Sequence, residues 1–169
     1  MLEPAAWESF AVMTGGASAA LTGLLFVAVS LNRDLIARNA MLRNSAAQTL
    51  VLLVVPVVLC ALLLIPDQRP AALSIELLVA GLLIGVALLR FRPQPRRAER
   101  SAVAELFDRR ETMVVIAALV LTGAISYWCG GGGGLYWLAP AVLLAFMFGV
   151  FNAWQFLITD TDLADKHQT

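Results

Sequence analysis

Residues 50–65 read LVLLVVPVVLCALLLI, an apolar run broken only by Pro56 and the thiol of Cys60. It lacks the period-two alternation that a membrane barrel strand would show. Ala46, Ala47, Gln48 and Thr49 lengthen it to residues 46–65. A helix rises 1.5 Å per residue, so crossing about 30 Å of hydrocarbon takes about 20 residues. Inside lipid, backbone N–H and C=O groups must find partners within the chain, and a lone run can do so only as a helix. Its thirteen Leu, Ile and Val residues, at about 0.3–0.6 kcal/mol each, contribute roughly 4–8 kcal/mol toward insertion. Pro56 removes one ladder hydrogen bond and predicts a kink.

Four further runs flank this one, giving spans at residues 7–31, 46–65, 71–89, 112–129 and 135–158. The fourth is short and includes Thr112 and Cys129 to reach its length. Composition agrees: 60% of residues are hydrophobic and 14% charged, against about 45–50% and about 25% in soluble domains. Mean hydropathy is +0.80. The expectation is an all-α integral membrane bundle, a single transmembrane domain of five helices over residues 1–169. The first run carries Glu3 and Glu8 instead of a basic leader and is too long for a signal peptide, so it reads as a permanent span.

Charge sets the orientation. Arg33, Arg38 and Arg43 follow helix one, and Arg90, Arg92, Arg96, Arg97, Arg100, Arg109 and Arg110 follow helix three. The opposite side holds Arg69 alone, in the turn Pro66-Asp67-Gln68-Arg69-Pro70, besides the Gly130–Gly134 linker. Ten arginines against one predict an outside N-terminus and a cytoplasmic C-terminus. Trp128, Tyr136 and Trp137 at the outer boundary and Trp154 at the inner one form the aromatic belts of a span. The acidic tail TDTDLADKHQT is expected to fray. Eleven Arg to one Lys (Lys166), with abundant Ala, Leu and Val, suggest a GC-rich bacterial genome and so a bacterial inner membrane.

Several functions are unsupported. Twelve basic and twelve acidic residues cancel, leaving no field to recruit nucleic acid. Cys60 and Cys129 are far apart with no metal-ligand spacing, so neither a disulfide nor a zinc site is expected. No ionisable residue falls near the middle of a span, where coupled transporters and pumps hold one. No catalytic or nucleotide-binding motif is present. The sequence therefore predicts neither an enzyme nor a cofactor.

Helix one is the informative segment. At 100° per residue, one face collects Glu8, Ala11, Gly15, Ser18, Ala19, Thr22, Gly23, Phe26, Ser30 and Arg33. Gly15, Ala19 and Gly23 form a small-xxx-small ridge, with Thr14, Ser18 and Thr22 as a hydroxyl ridge beside it. Leu21, Leu24, Ala28 and Leu31 lie elsewhere, suited to lipid or apolar neighbours. Two readings stay open: close helix packing, or a pore with Glu8 at its outer mouth and Arg33 at its inner one. Gly81 and Gly85 make a GxxxG packing motif in helix three. Glu76 is expected to reach interfacial water, and Asn152 and Gln155 to bond between helices near the inner surface. In the linker over residues 92–110, RRAERSAVAELFDRR places Ala98, Ala102, Val103, Leu106 and Phe107 on one side. That pattern predicts an interfacial helix, with Arg96, Arg97, Arg100, Arg109 and Arg110 meeting lipid headgroups.

The opening Trp7-Glu8-Ser9-Phe10, followed by TGGASAALTGLLFVAVSLN, resembles the start of a group of small polytopic bacterial membrane proteins. Some of these are labelled modulators of the FtsH protease. The resemblance covers about the first 32 residues and is hydropathic beyond them. It implies a non-enzymatic protein acting on a membrane protease or another membrane complex. A fainter resemblance links SAALTGLLFVA to the pore helix of Orai-type calcium channels, and AFMFGVFNAWQF to their last helix. Leu31 stands where those channels carry a glutamate, and this chain has one span more, with helix one reversed. The expected partners are membrane lipids and a second copy or another membrane protein; the alternative is a homo-oligomeric ion channel.

Overall fold

The computed structural model describes residues 7–90 and 109–165, and among these every regular element is a helix. They are α1 (Glu8–Leu31), α2 (Arg33–Arg38), α3 (Ala40–Leu63), α4 (Pro70–Arg90), α5 (Arg109–Trp128) and α6 (Leu138–Asp165), with a 3₁₀ turn at Gly134–Trp137. Five of them are long and apolar enough to cross a membrane. The chain is an all-α helical bundle.

Helix limits follow local chemistry more than hydropathy. The sequence starts the second span at residue 46, whereas α3 begins at Ala40. Asn39 precedes it as an N-cap, its Oδ1 accepting the Leu42 N–H at 3.4 Å, which satisfies one of the open amides of the first turn. Pro70 opens α4, where its missing N–H has no consequence. α5 starts at Arg109, so the fourth span gains length at that end. The tail does not fray at once, because α6 continues to Asp165. The predicted interfacial helix, with Arg96, Arg97 and Arg100, lies outside the described residues; Arg109 and Arg110 are the first two residues of α5.

α3 is the centre of the bundle. It packs on α1 and on α6, while α4 packs on α5 and α5 on α6. Of the strongly apolar windows, 56% of α3's is buried but 17% of α1's. Leu52, Leu53, Leu59 and Cys60 of α3 join Leu73 and Leu77 of α4, Ile116 and Val120 of α5, and Ala141, Val142 and Ala145 of α6 in the core. A smaller cluster of Ile36, Leu42 and Ala46, with Val29 against it, closes the end where α1 turns into α3.

The two ends of the bundle differ. One carries Arg33, Arg38, Arg43, Arg90, Arg109 and Arg110. The other carries the glycine loop between α5 and α6, in which Gly130, Gly132, Gly133 and Gly134 have positive φ. Only glycine adopts such a succession without strain. Ser126 Oγ holds the loop by donating to the Gly131 carbonyl and accepting the Gly134 N–H at 2.9 Å. The Trp137 indole donates to the Gly132 carbonyl at 2.7 Å. At the same end Trp7 packs edge-on against Tyr136 and Phe10, which ties the start of α1 to the loop. Glu76 accepts a hydrogen bond from the Gln68 amide, bracing the α3–α4 turn.

Candidate functional site

The predicted face of α1 divides lengthwise in the structure. One edge, Ala11, Thr14, Gly15 and Ser18, is buried. The other, Ala19, Gly23, Phe26 and Ser30, is exposed along with Glu8 and Arg33, and Thr22 is half-buried between them. At 100° per residue the stripe thus straddles the boundary between these two environments.

The buried edge is fitted to α3. A Cβ built on Gly15 would lie 2.8 Å from the Cβ of Cys60, well inside the usual carbon–carbon contact of about 3.5–4.0 Å. Glycine is what lets the two backbones approach. One residue earlier, Thr14 Oγ1 lies 3.3 Å from Cys60 Sγ and donates to the Phe10 carbonyl at 2.7 Å.

Ser18, 0% exposed, donates to the Leu53 carbonyl of α3 at 2.7 Å. That carbonyl is next to the one that Pro56 leaves without its helical donor. Pro56 has no N–H to offer Leu52, four residues back, and its ring crowds the preceding turn. Ser18 supplies a donor one residue from the break. From the other side Leu53 is enclosed by α6, where a Cβ on Gly149 would lie 2.5 Å from Leu53 Cδ2. Ser18, Leu53 and Gly149 thus join α1, α3 and α6 at one level.

The remaining hydroxyls of α1 turn back on their own helix. Thr22 donates to the Ser18 carbonyl and Ser30 to the Phe26 carbonyl, each at 2.8 Å. Neither presents a free donor to a neighbour.

No family model, curated protein or solved structure matches this chain. Its own geometry therefore supplies the functional argument. The open side of α1 is centred on Gly23, with Val12, Gly16, Ala19, Ala20, Phe26 and Val27 around it, all exposed. A Cβ added at Gly16 or Gly23 meets nothing within 4 Å. Gly81 behaves as a packing glycine, since a Cβ there would lie 2.8 Å from Leu121 of α5, whereas Gly85 faces open space.

Cys60 is free and buried, Cys129 free and exposed. Among the described residues, no three His, Cys, Asp or Glu side chains gather where they could hold a metal. The sequence reading missed Cys60, Leu53 and Gly149 as packing partners. Gly149 alone had a visible signal, a single small residue in the bulky run AFMFGVF. Leu53 was invisible because it contributes a backbone carbonyl. Asn152 is buried, as are Gln48, Thr49 and Thr112, while the side chain of Gln155 lies outside the described residues.

Proposed function

We propose that this chain is a non-enzymatic membrane protein that assembles laterally through α1, pairing with a second copy, and in that form adjusts a membrane protease or another membrane complex. The observation that carries the reading is the second side of α1. One side is engaged by α3, and the other offers Gly16, Ala19, Ala20 and Gly23, all exposed, with nothing within 4 Å of a Cβ added at Gly16 or Gly23. Small residues contribute little to a helix facing acyl chains. They matter where a second backbone comes close, because packing and not the hydrophobic effect drives association in lipid. The resemblance of the opening residues to small bacterial membrane modulators points the same way, and the arginine asymmetry supports an orientation with the glycine loop outside the inner membrane and the arginine end in the cytoplasm.

A pore lined by α1 has less in its favour. Gly15 and Ser18 are covered by α3, and the hydroxyls of Thr14, Ser18, Thr22 and Ser30 are engaged with backbone carbonyls. Such a wall would offer permeating ions few free polar groups.

The test is native mass measurement in mild detergent on Gly16→Leu/Gly23→Leu. Both positions are open within the chain, so the fold survives and the assembled species should dissociate to monomer. An unchanged oligomer would reject the proposed face. Loss of the oligomer in a Leu24→Ala control, off the glycine stripe, would also count against it.

A further inference from the structure

Gln48 of α3 is buried and unsatisfied. It is 6% exposed, and its Oε1 finds no hydrogen-bond partner among the described residues. A carbonyl oxygen taken out of water without a donor is costly, and most buried side-chain oxygens are bonded to protein or to ordered water. The face that Gln48 occupies is interior. Leu52, Val55 and Leu59 follow it at helical spacing and are all buried. An exposure of 6% leaves contact for a water-sized group, and far too little for an acyl chain or a second helix.

Other buried polar side chains share its level. The Leu53 side chain packs on Gly149 of α6, which fixes the relative height of the two helices. Gln48 lies five residues before Leu53 and Asn152 three after Gly149. At 1.5 Å per residue they stand about 7.5 and about 4.5 Å nearer the arginine end. Thr112 lies three residues, about 4.5 Å, inside the same end of α5. Asn152 and Thr112 are buried at 3% and 6% exposure. Thr49 is also buried, but its hydroxyl turns back to donate to the Ser45 carbonyl at 2.9 Å. Further from the arginine end the core is aliphatic, with Leu52, Ile116 and Ala145. α3, α5 and α6 thus contribute to one polar layer.

We propose that Gln48 holds an ordered water molecule inside the arginine end of the bundle. The water donates one hydrogen to Gln48 Oε1. Its other hydrogen and its lone pairs serve the layer of Thr112 and Asn152, whose hydroxyl and carboxamide can each give and accept hydrogen bonds. A buried water commonly makes about three such bonds, which is what a layer of this composition can offer. A hard cation takes about six or more oxygen ligands, more than these neutral side chains supply. The water joins α3 to α5 and α6 without a direct side-chain contact. The site lies on helices other than α1 and does not depend on the proposed assembly.

The experiment is nuclear magnetic resonance of the full chain in detergent micelles, reading cross-peaks between water and the Gln48 side-chain amide protons, assigned through the backbone. A held water should give peaks of opposite sign in the laboratory and rotating frames, which separates dipolar contact from proton exchange. Absence of such peaks in the native chain would overturn the proposal. Reversible unfolding supplies a second reading. Methionine has nearly the length of glutamine and no carbonyl, so Gln48→Met gives up the bond to water. It should lower the folding equilibrium constant about fivefold, the equivalent of about 1 kcal/mol for one hydrogen bond. An Oε1 with neither water nor protein partner predicts the reverse, a variant at least as stable as the native chain, and that result would also overturn it. If Gln48→Met does not fold, the native cross-peaks decide alone.

Discussion

Two glycines of α1, Gly15 and Gly23, occupy the same predicted ridge and opposite environments, so alanine at each separates close packing from open surface. At Gly15 the new Cβ meets the Cβ of Cys60 at 2.8 Å. Both atoms are fixed to backbone, so no rotamer relieves the overlap, and α1 must move away from α3 by roughly 1 Å to restore normal contact. That movement stretches the neighbouring Ser18–Leu53 hydrogen bond, which is 2.7 Å. Overpacking of this kind costs about 1–3 kcal/mol. At Gly23 nothing lies within 4 Å. Gly→Ala improves helix propensity by about 1 kcal/mol at either position, so this term cancels in the difference. Gly15→Ala should therefore be about 1–3 kcal/mol less stable than Gly23→Ala. The assay is reversible unfolding in mixed micelles, followed by tryptophan fluorescence at a low protein-to-detergent ratio. Cys60→Ala keeps the offending Cβ and should leave the penalty in place, whereas Cys60→Gly should show coupling with Gly15→Ala in a double-mutant cycle. Equal stability of the two alanine variants would refute the close α1–α3 approach.

Other positions give independent checks. Ser18→Ala removes the donor to Leu53 beside the Pro56 break and should cost about 0.6 kcal/mol, at most about 1.7; no loss in the same unfolding assay would mean that the carbonyl has another donor. Gly149→Ala drives a methyl into the enclosed Leu53 side chain and should destabilise by about 1–3 kcal/mol. Partial recovery with Leu53→Val would locate the strain, and a neutral Gly149→Ala would refute the contact. Cys129 is exposed near the glycine loop and Cys60 is buried. A membrane-impermeant maleimide applied to intact cells should thus label Cys129 and spare Cys60, while labelling only after lysis would reverse the proposed orientation.

The fold class was legible because lipid leaves the backbone so few solutions: a run such as residues 50–65 can only be a helix. Helix ends were less legible. Hydropathy registers depth in hydrocarbon, whereas α3 starts six residues before its apolar run because Asn39 caps it, and α6 extends into an acidic tail that is polar but still helical. The special side of α1 was visible in its small and hydroxylated residues, but not its division. That depended on Cys60 and Leu53, distant in sequence, lying against one edge of the stripe. The glycine loop illustrates the same limit. Its flexibility was evident in the letters, but its closure by Ser126 and Trp137 required the chain to be folded.

Disulfide cross-linking along α1 tests the assembly most directly. Single cysteines would be introduced, one at a time, in a Cys60→Ala/Cys129→Ala background and oxidised in native membranes, where a bridge needs Cα atoms no more than about 7 Å apart. Assembly through the open side predicts covalent dimers for cysteine at Gly16, Ala20 and Gly23, and none at Ala11 or Ser18, which face α3. Absence of dimers at all three open positions, or equal dimers on both sides of the helix, would contradict it.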